Sequence, residues 1–383
     1  MPRLNDLENP LAITMWDSTW NLAHYPRGSF EDWDRALDEA VERDYNAIRI
    51  ECYPHLVARD AQGGRADEFF MHRNNDGLNV WEPNCSIHIN PRKELAEFIP
   101  KCAERGIYVG LSSWFRGDAS GRPRQVEGVE AFVRVWDETL QFVRDEVGFD
   151  NIIYVDLLNE YPLWHGWWWL TKQIQAAQEL DSTTAYTDKH RQLYRTVIHD
   201  ALGALKQQWP DLDFFVSQTQ NAWEDDRDMD YSNFDALDIH LWFAHCHDLS
   251  RDTGYYDIVH GYKDDTQFHI VQKKLTDRWA ANRDAYIEWM DKKIAGMCEV
   301  ARKWKLPIGN TEGWGMMFWC DHPGLNWDFT KEAAEICLTL GAKYGYKFNC
   351  TSNYAQPRFG FWDDVAWHKR MNGIVRGGGK MRF

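Results

Sequence analysis

Cysteine pairs at metal or redox spacing are missing from this chain of 383 residues, as are a basic excess, a long apolar run and any low-complexity tract. Its eight cysteines (Cys52, Cys85, Cys102, Cys246, Cys298, Cys320, Cys337 and Cys350) stand singly with no CxxC. Several fall inside apolar strand or helix patterns, which points to reduced, buried thiols rather than a disulfide framework, and so to a reducing compartment. The 43 Lys and Arg against 59 Asp and Glu leave a formal charge of −16, which repels a phosphate backbone and argues against nucleic acid as a partner. No stretch of about 20 apolar residues offers a membrane span, and the first thirty residues lack the basic start and unbroken apolar core of an export signal. The expectation is a cytoplasmic protein with no membrane partner; a homo-oligomer is compatible with the sequence.

What the chain does have is a long alternation of two periodicities. Strand-like apolar runs are expected at Leu11–Trp16, Ala47–Ile50, Ile107–Ser112, Asn151–Leu158, Phe214–Ser217, Ala236–Trp242, Pro307–Asn310 and Lys347–Thr351. Helical spacing is expected over Phe30–Arg43, Arg92–Arg105, Gly128–Val147, Asp188–Gln208, Ala281–Lys303, Lys331–Lys343 and Asp364–Met371, with a weaker segment near Glu224–Asp230. Strands that are apolar without alternation must be covered on both faces. Eight βα units of that kind predict an α/β fold, a (β/α)8 TIM barrel, with a doubly wound open sheet as the alternative. Barrels with insertions run from roughly 200 to more than 400 residues as one unit, so a single domain over 1–383 is expected. Long excursions at about 52–91 and 244–282 follow strand ends and would rim the active face.

Two acids close two of the runs. Asn159-Glu160 ends the fourth, and Glu312 follows the seventh in Ile308-Gly-Asn-Thr-Glu-Gly-Trp-Gly315, where glycines permit close backbone approach. Strand ends of a barrel converge on one face, so residues far apart in sequence can meet across one cleft. Cleaving a glycosidic bond needs such a pair: one carboxyl to protonate the leaving oxygen, another to attack or to activate water. Each acid taken alone is also compatible with a structural ion pair or a helix cap. Asn159 would offer an amide to a sugar hydroxyl.

An Asn-Glu pair ending strand four and a Glu ending strand seven resemble the retaining glycoside hydrolases of clan A, which include cellulase-like and β-galactosidase-like barrels. The resemblance covers the whole barrel. It implies Glu160 as acid/base and Glu312 as nucleophile in a double displacement on a β-glycosidic bond of an oligosaccharide or glycoside, with no cofactor. It also implies that Arg49, ending strand two, holds the nucleophile ionised and that His240 on strand six lies near the same carboxylate. Tyr161, Trp164 and Trp167-Trp168-Trp169 would surround Glu160 and help it keep its proton by desolvation. Three positions depart from the cellulase pattern: His240-Leu241-Trp242 has Trp where Tyr is usual, strand three ends in Ser112-Ser113-Trp114 without a histidine, and strand eight runs into Thr351-Ser-Asn-Tyr354 in place of a tryptophan.

Tryptophan is abundant, at 21 residues, and flat sugar faces stack on indoles. Trp16, Trp114, Trp164, Trp242, Trp314 and Tyr354, near predicted rims, are candidate stacking residues, core packing being the other reading of each. Asp17, just beyond strand one, is a candidate for a sugar hydroxyl or for a turn cap. His240, His245 and His247 cluster with Cys246 and Asp248, which raises an alternative: a metal-dependent sugar isomerase or epimerase on the same barrel. A catalytically silent carbohydrate-binding barrel is a third class, disfavoured because both carboxylates are present. The long loops favour removal of terminal sugars.

Overall fold

The computed structural model describes residues 2–72, 85–161 and 188–377. Eight parallel strands form its centre: β1 (Leu11–Asp17), β2 (Ala47–Glu51), β3 (Tyr108–Ser112), β4 (Ile152–Asp156), β5 (Phe214–Phe215 and Ser217–Thr219), β6 (Leu237–Trp242), β7 (Ile308–Asn310, continued by Gly313–Trp314) and β8 (Phe348–Cys350). Pairing runs from β1 through β2 and β3 to β4 on one side, and from β1 through β8 and β7 to β6 on the other. The two pieces of β5 close the ring, the first pairing with β4 and the second with β6. The barrel expected from the sequence is thus the fold.

Among the described residues a main helix follows each strand, with shorter helical turns in some of the loops: α1 (Trp33–Glu42), α2 (Pro91–Glu104), α3 (Val129–Glu146), α4 (Asp188–Gln208), α5 (Gln220–Asp226), α6 (Phe268–Trp304), α7 (Asp328–Tyr344) and α8 (Val365–Gly377). Their ends follow capping chemistry. At α2, Asn90 accepts from Lys93 N at 3.1 Å while Glu94 accepts from Asn90 N at 2.9 Å, a reciprocal cap, and Pro91 fills the first turn. Asp32 caps α1 through Arg35 N at 3.0 Å.

Two sequence expectations need correction here. The segment near Glu224–Asp230 lies further upstream, as α5. The second excursion is shorter than expected, because α6 begins at Phe268 and continues through non-helical backbone at Asn282. Phe268, Val271, Leu275 and Trp279 are buried along its first part, a helical stripe between exposed lysines and arginines. The first excursion carries a short antiparallel pair, Phe69–Met71 with Ile87–Ile89. All eight cysteines are free thiols, six of them buried. No described helix is long and apolar enough to cross a membrane.

Side chains inside the barrel divide into layers. Tyr154, Phe215 and Phe348 fill the lower one, with centroids 5.0, 6.0 and 6.1 Å apart. Glycine makes room for them: a Cβ on Gly110 would lie 2.1 Å from the Tyr154 ring, and one on Gly309 2.2 Å from the Phe348 carbonyl. Burying a Phe-sized side chain stabilises by roughly 1.5–3 kcal/mol, so this layer makes a rigid floor. Above it, strand alternation turns Arg49, Asp156, Asp238 and His240 into the ring, and the polar site begins.

Candidate active site

Arg49 occupies the centre of the upper layer, fully buried. Its Nε lies 3.2 Å from Asp17 Oδ1 and its Nη1 3.5 Å from Glu312 Oε2. Nη1 also donates to Thr311 Oγ1 at 2.8 Å, and Nη2 donates to Asn159 Oδ1. A buried guanidinium is tolerable only with such partners. Burial works against its charge, but Asp17, Glu312, Asp156 and Asp238 together outweigh that and keep it protonated.

Glu160 and Glu312 approach this arginine from the loop after β4 and from the turn between the two pieces of β7. Glu160 has left-handed backbone at φ 51°, which a non-glycine residue keeps only when its surroundings hold it there. They do: Asn159 N donates to Ser113 O at 2.8 Å, Glu160 N to Ser217 Oγ at 3.0 Å and Tyr161 N to Ser217 O at 2.8 Å. Glu312 N donates to Asn310 Oδ1 and Gly313 N to Asn353 Oδ1, both at 2.8 Å. His240 stands between the acids, its Nδ1 3.1 Å from Glu160 Oε1 and 3.5 Å from Glu312 Oε2. One ligand atom from each of Glu160, His240 and Glu312 lies within 4.8 Å of the other two.

Electrostatics couple these groups. Burial pushes the Glu312 carboxyl up to about 8, and the Glu160 charge adds to it, against the pull of His240 and Arg49. Burial pulls the His240 imidazole down, but Glu312, Asp238 and Glu160 outweigh it and carry it up to about 10. Two carboxyls this close share their titration, so the pair keeps a proton near neutrality.

A family model described as sugar-binding cellulase-like matches residues 13–376. The chain belongs to this cellulase-like family. A solved structure from Parabacteroides distasonis, titled as a candidate glycoside hydrolase, is 30% identical with a TM-score of 0.81, covering 97% of this chain and 95% of that one. The endo-β-1,4-mannanase of Thermotoga petrophila (13% identical, TM-score 0.54, 100% and 80% covered) and the cellulose synthase subunit Z of Clostridioides difficile (11%, 0.56, 95% and 99%) share the barrel fold. No curated protein matches the chain.

In this cellulase-like barrel the residues singled out in sequence have different fates. Glu160, Glu312, Asn159, Arg49 and His240 meet in one cluster, and the buried Asn159 Nδ2 has no hydrogen-bond partner among the described residues. Asp17 is corrected: it is fully buried and spends its carboxylate on Arg49 and on Trp114 Nε1, at 2.7 Å, so it supports the arginine instead of meeting sugar. Trp16 is also corrected. It packs edge-on against Phe30 at 4.9 Å and near Phe98 of α2, inside the strand-helix core. Tyr354 is buried, donating to Met316 O and accepting from Trp319 N at 2.7 Å each. Trp314 is buried with its indole N–H on Cys350 O at 2.9 Å, and Trp242 is buried beside it in register. None of these four rings offers a free stacking face; Trp114, at 8% exposure, keeps a little more. Trp164 and Trp167-Trp168-Trp169 lie outside the described residues.

The histidine cluster separates. His247 is exposed on the rim, and His245 is half-buried with an unpartnered Nδ1. Burial pulls His245 down to about 4. Among the described residues, the one group of acid and histidine donors that converges is Glu160, His240 and Glu312. Arg49 already supplies positive charge to Glu312 there.

Sequence reasoning missed the acids below the pair. Asp156 accepts from Ser217 N at 2.8 Å and from the Ser112 and Ser217 hydroxyls at 2.9 Å each. Asp238 accepts from Thr311 N at 2.9 Å. Glu51, pushed up to about 7 by burial, accepts from Tyr53 N at 2.7 Å and from Trp114 N, tying the turns after β2 and β3. A signal existed: an acid inside an otherwise apolar buried strand is out of place unless something pairs it.

Proposed function

We propose that this member of the cellulase-like family is a retaining glycoside hydrolase acting on β-glycosidic bonds. The observation that carries the reading is the approach of Glu160 and Glu312, whose nearest oxygens are within 4.8 Å. Retaining enzymes keep their carboxyl groups about 5–5.5 Å apart, whereas inverting ones leave roughly 6.5–9.5 Å for a water molecule. The short separation supports direct attack on the anomeric carbon.

Roles follow from the surroundings. Arg49 faces Glu312, so the negative charge of the pair is favoured there, and Glu312 is the nucleophile. The shared proton then belongs on Glu160, which gives it to the departing oxygen while Glu312 bonds to the anomeric carbon. In the second step Glu160 takes a proton from water, whose oxygen displaces Glu312 and releases the sugar with its configuration kept. Asn159 Nδ2 would hold a sugar hydroxyl.

Attack at chain ends is the part of this reading that rests on the length of the chain segments after β2 and β6, which would close one end of the cleft. The isomerase alternative needs a cation among Glu160, His240 and Glu312, where the guanidinium already stands 3.5 Å from Glu312. The deciding experiment is proton NMR of the first product formed from 4-nitrophenyl β-glucoside, β-mannoside and β-galactoside. Initial release of the β-anomer supports the reading; initial release of the α-anomer, or no turnover of any glycoside, ends it.

A further inference from the structure

The Thr311 hydroxyl has three neighbours and only one way to satisfy them. Its Oγ1 lies 2.8 Å from Arg49 Nη1 and 3.2 Å from His240 Nε2, and it bonds to a carboxylate oxygen of Asp238. A hydroxyl has one hydrogen to give and two lone pairs to receive. Arg49 can only donate. The Asp238 carboxylate can only accept, and its other oxygen already takes Thr311 N at 2.9 Å. Thr311 therefore gives its hydrogen to Asp238 and receives from Arg49, and the lone pair that remains faces His240 Nε2. That nitrogen must carry hydrogen. Arg49 Nη1 is 3.4 Å from the same nitrogen, well beyond its 2.8 Å bond to Thr311, so it does not compete for Nε2.

We infer that Asp238 and Thr311 are positioning residues that lock His240 in the form protonated at Nε2, leaving Nδ1 as the nitrogen that faces the two glutamates. The lock stands on hydrogen bonds alone; its catalytic consequence rests on the glycosidase reading. Strand alternation places Asp238 and His240 on one face of β6, and Thr311 directly precedes Glu312, so the same contacts that orient the imidazole anchor the nucleophile loop. When Glu160 has delivered its proton, the carboxylate left behind lies 3.1 Å from Nδ1. An Nδ1–H can then stabilise that carboxylate by a hydrogen bond, with the proton staying on nitrogen, so that Glu160 keeps the basic oxygen it needs for the water of the second step. Among the described residues, the groups facing the imidazole are Glu160 and Glu312 at Nδ1, and Asp238, Thr311 and Arg49 at Nε2, with Asp17 and His245 further off.

The test is NMR of protein labelled with 15N-histidine, the His240 signals being assigned by their loss in His240→Asn. The wild-type protein and Thr311→Ser should keep Nε2 protonated throughout the titration while Nδ1 alone moves. Thr311→Val should let the neutral ring populate both tautomers. On an aryl glycoside, Thr311→Val should shift the alkaline limb of kcat/KM down by about one pH unit, as expected for one lost hydrogen bond to a charged group, and Thr311→Ser should restore it. A wild-type neutral ring protonated at Nδ1 would overturn the inference, as would a Thr311→Val titration indistinguishable from that of Thr311→Ser. Because the wild-type spectrum needs no turnover, it decides the tautomer even if the glycosidase reading fails.

Discussion

Asp17 at the end of β1 and Arg49 in the middle of the neighbouring β2 form an ion pair of 3.2 Å in which neither side chain is exposed. The pair aims the guanidinium at Glu312, so stability and chemistry depend on the same charge. Arg49→Met should destabilise the fold by about 3–5 kcal/mol, because it leaves the buried Asp17 carboxylate without its counter-charge. Denaturant midpoints would show this. The double variant Asp17→Asn with Arg49→Met should regain much of the stability and none of the activity; equal recovery of both would contradict the proposed role of Arg49.

Removing the nucleophile and removing the acid should differ. Glu312→Ala is expected to lose at least about 10^4-fold in kcat with the fold intact. Glu160→Ala should lose about 10^2–10^4-fold on substrates with poor leaving groups, and azide should restore turnover of a dinitrophenyl glycoside by forming a glycosyl azide. Azide rescue of the Glu312 variant with retained configuration would reverse the two assignments.

The raised acid and imidazole predict how the protein responds to pH. His240 is carried from 6.5 to about 10, so the folded state binds a proton that the unfolded chain has lost in that interval. Its stabilising contribution is complete below about pH 6.5 and disappears as pH rises through about 10. The glutamate pair acts in the same direction as it gives up its shared proton, burial and mutual repulsion pushing the Glu312 carboxyl up to about 8. Melting temperature should therefore fall on the alkaline side, and His240→Asn should flatten the fall. Activity should decline with an apparent pKa near 8 as the glutamate pair gives up its shared proton.

Chelation separates the hydrolase from an isomerase on this barrel. Prolonged treatment with EDTA should leave aryl glycoside turnover unchanged, since the proposed steps use only carboxyls, an imidazole and a guanidinium. Loss of turnover that returns with a divalent cation would favour the metal reading.

The aromatic layer of the barrel interior should be costly to disturb and remote from chemistry. Phe348→Ala removes a fully buried ring between Phe215 and Tyr154 and should cost about 3–5 kcal/mol in urea unfolding. The KM of an aryl glycoside should stay close to that of the wild-type protein at temperatures where the variant is folded.

Much of this was legible in the chain itself. Every strand begins within one residue of its expected place and, apart from β7, which continues to Trp314, ends within two, because a buried parallel strand needs a continuous apolar run and a turn at each end, both local properties. Asn159-Glu160 and Glu312 also stand out locally, as polar residues closing such runs. The first turns of α6 were hidden because the stripe Phe268, Val271, Leu275 and Trp279 is interrupted by charges and enters the helix before the stronger pattern begins.

By itself, then, the sequence determined the order of strands and helices and which acids close them, since periodicity and turn chemistry act over a few neighbouring residues. Only the tertiary structure decided which strand ends face one another. Trp16 and Asp17 are adjacent in sequence, yet one enters the helical core and the other supports Arg49, and only the pleat of β1 and the closure of the ring separate them. Likewise the meeting of Thr311, Asp238 and His240 depends on the register between β6 and β7. Register is set by packing the whole barrel, which no local stretch of the chain encodes.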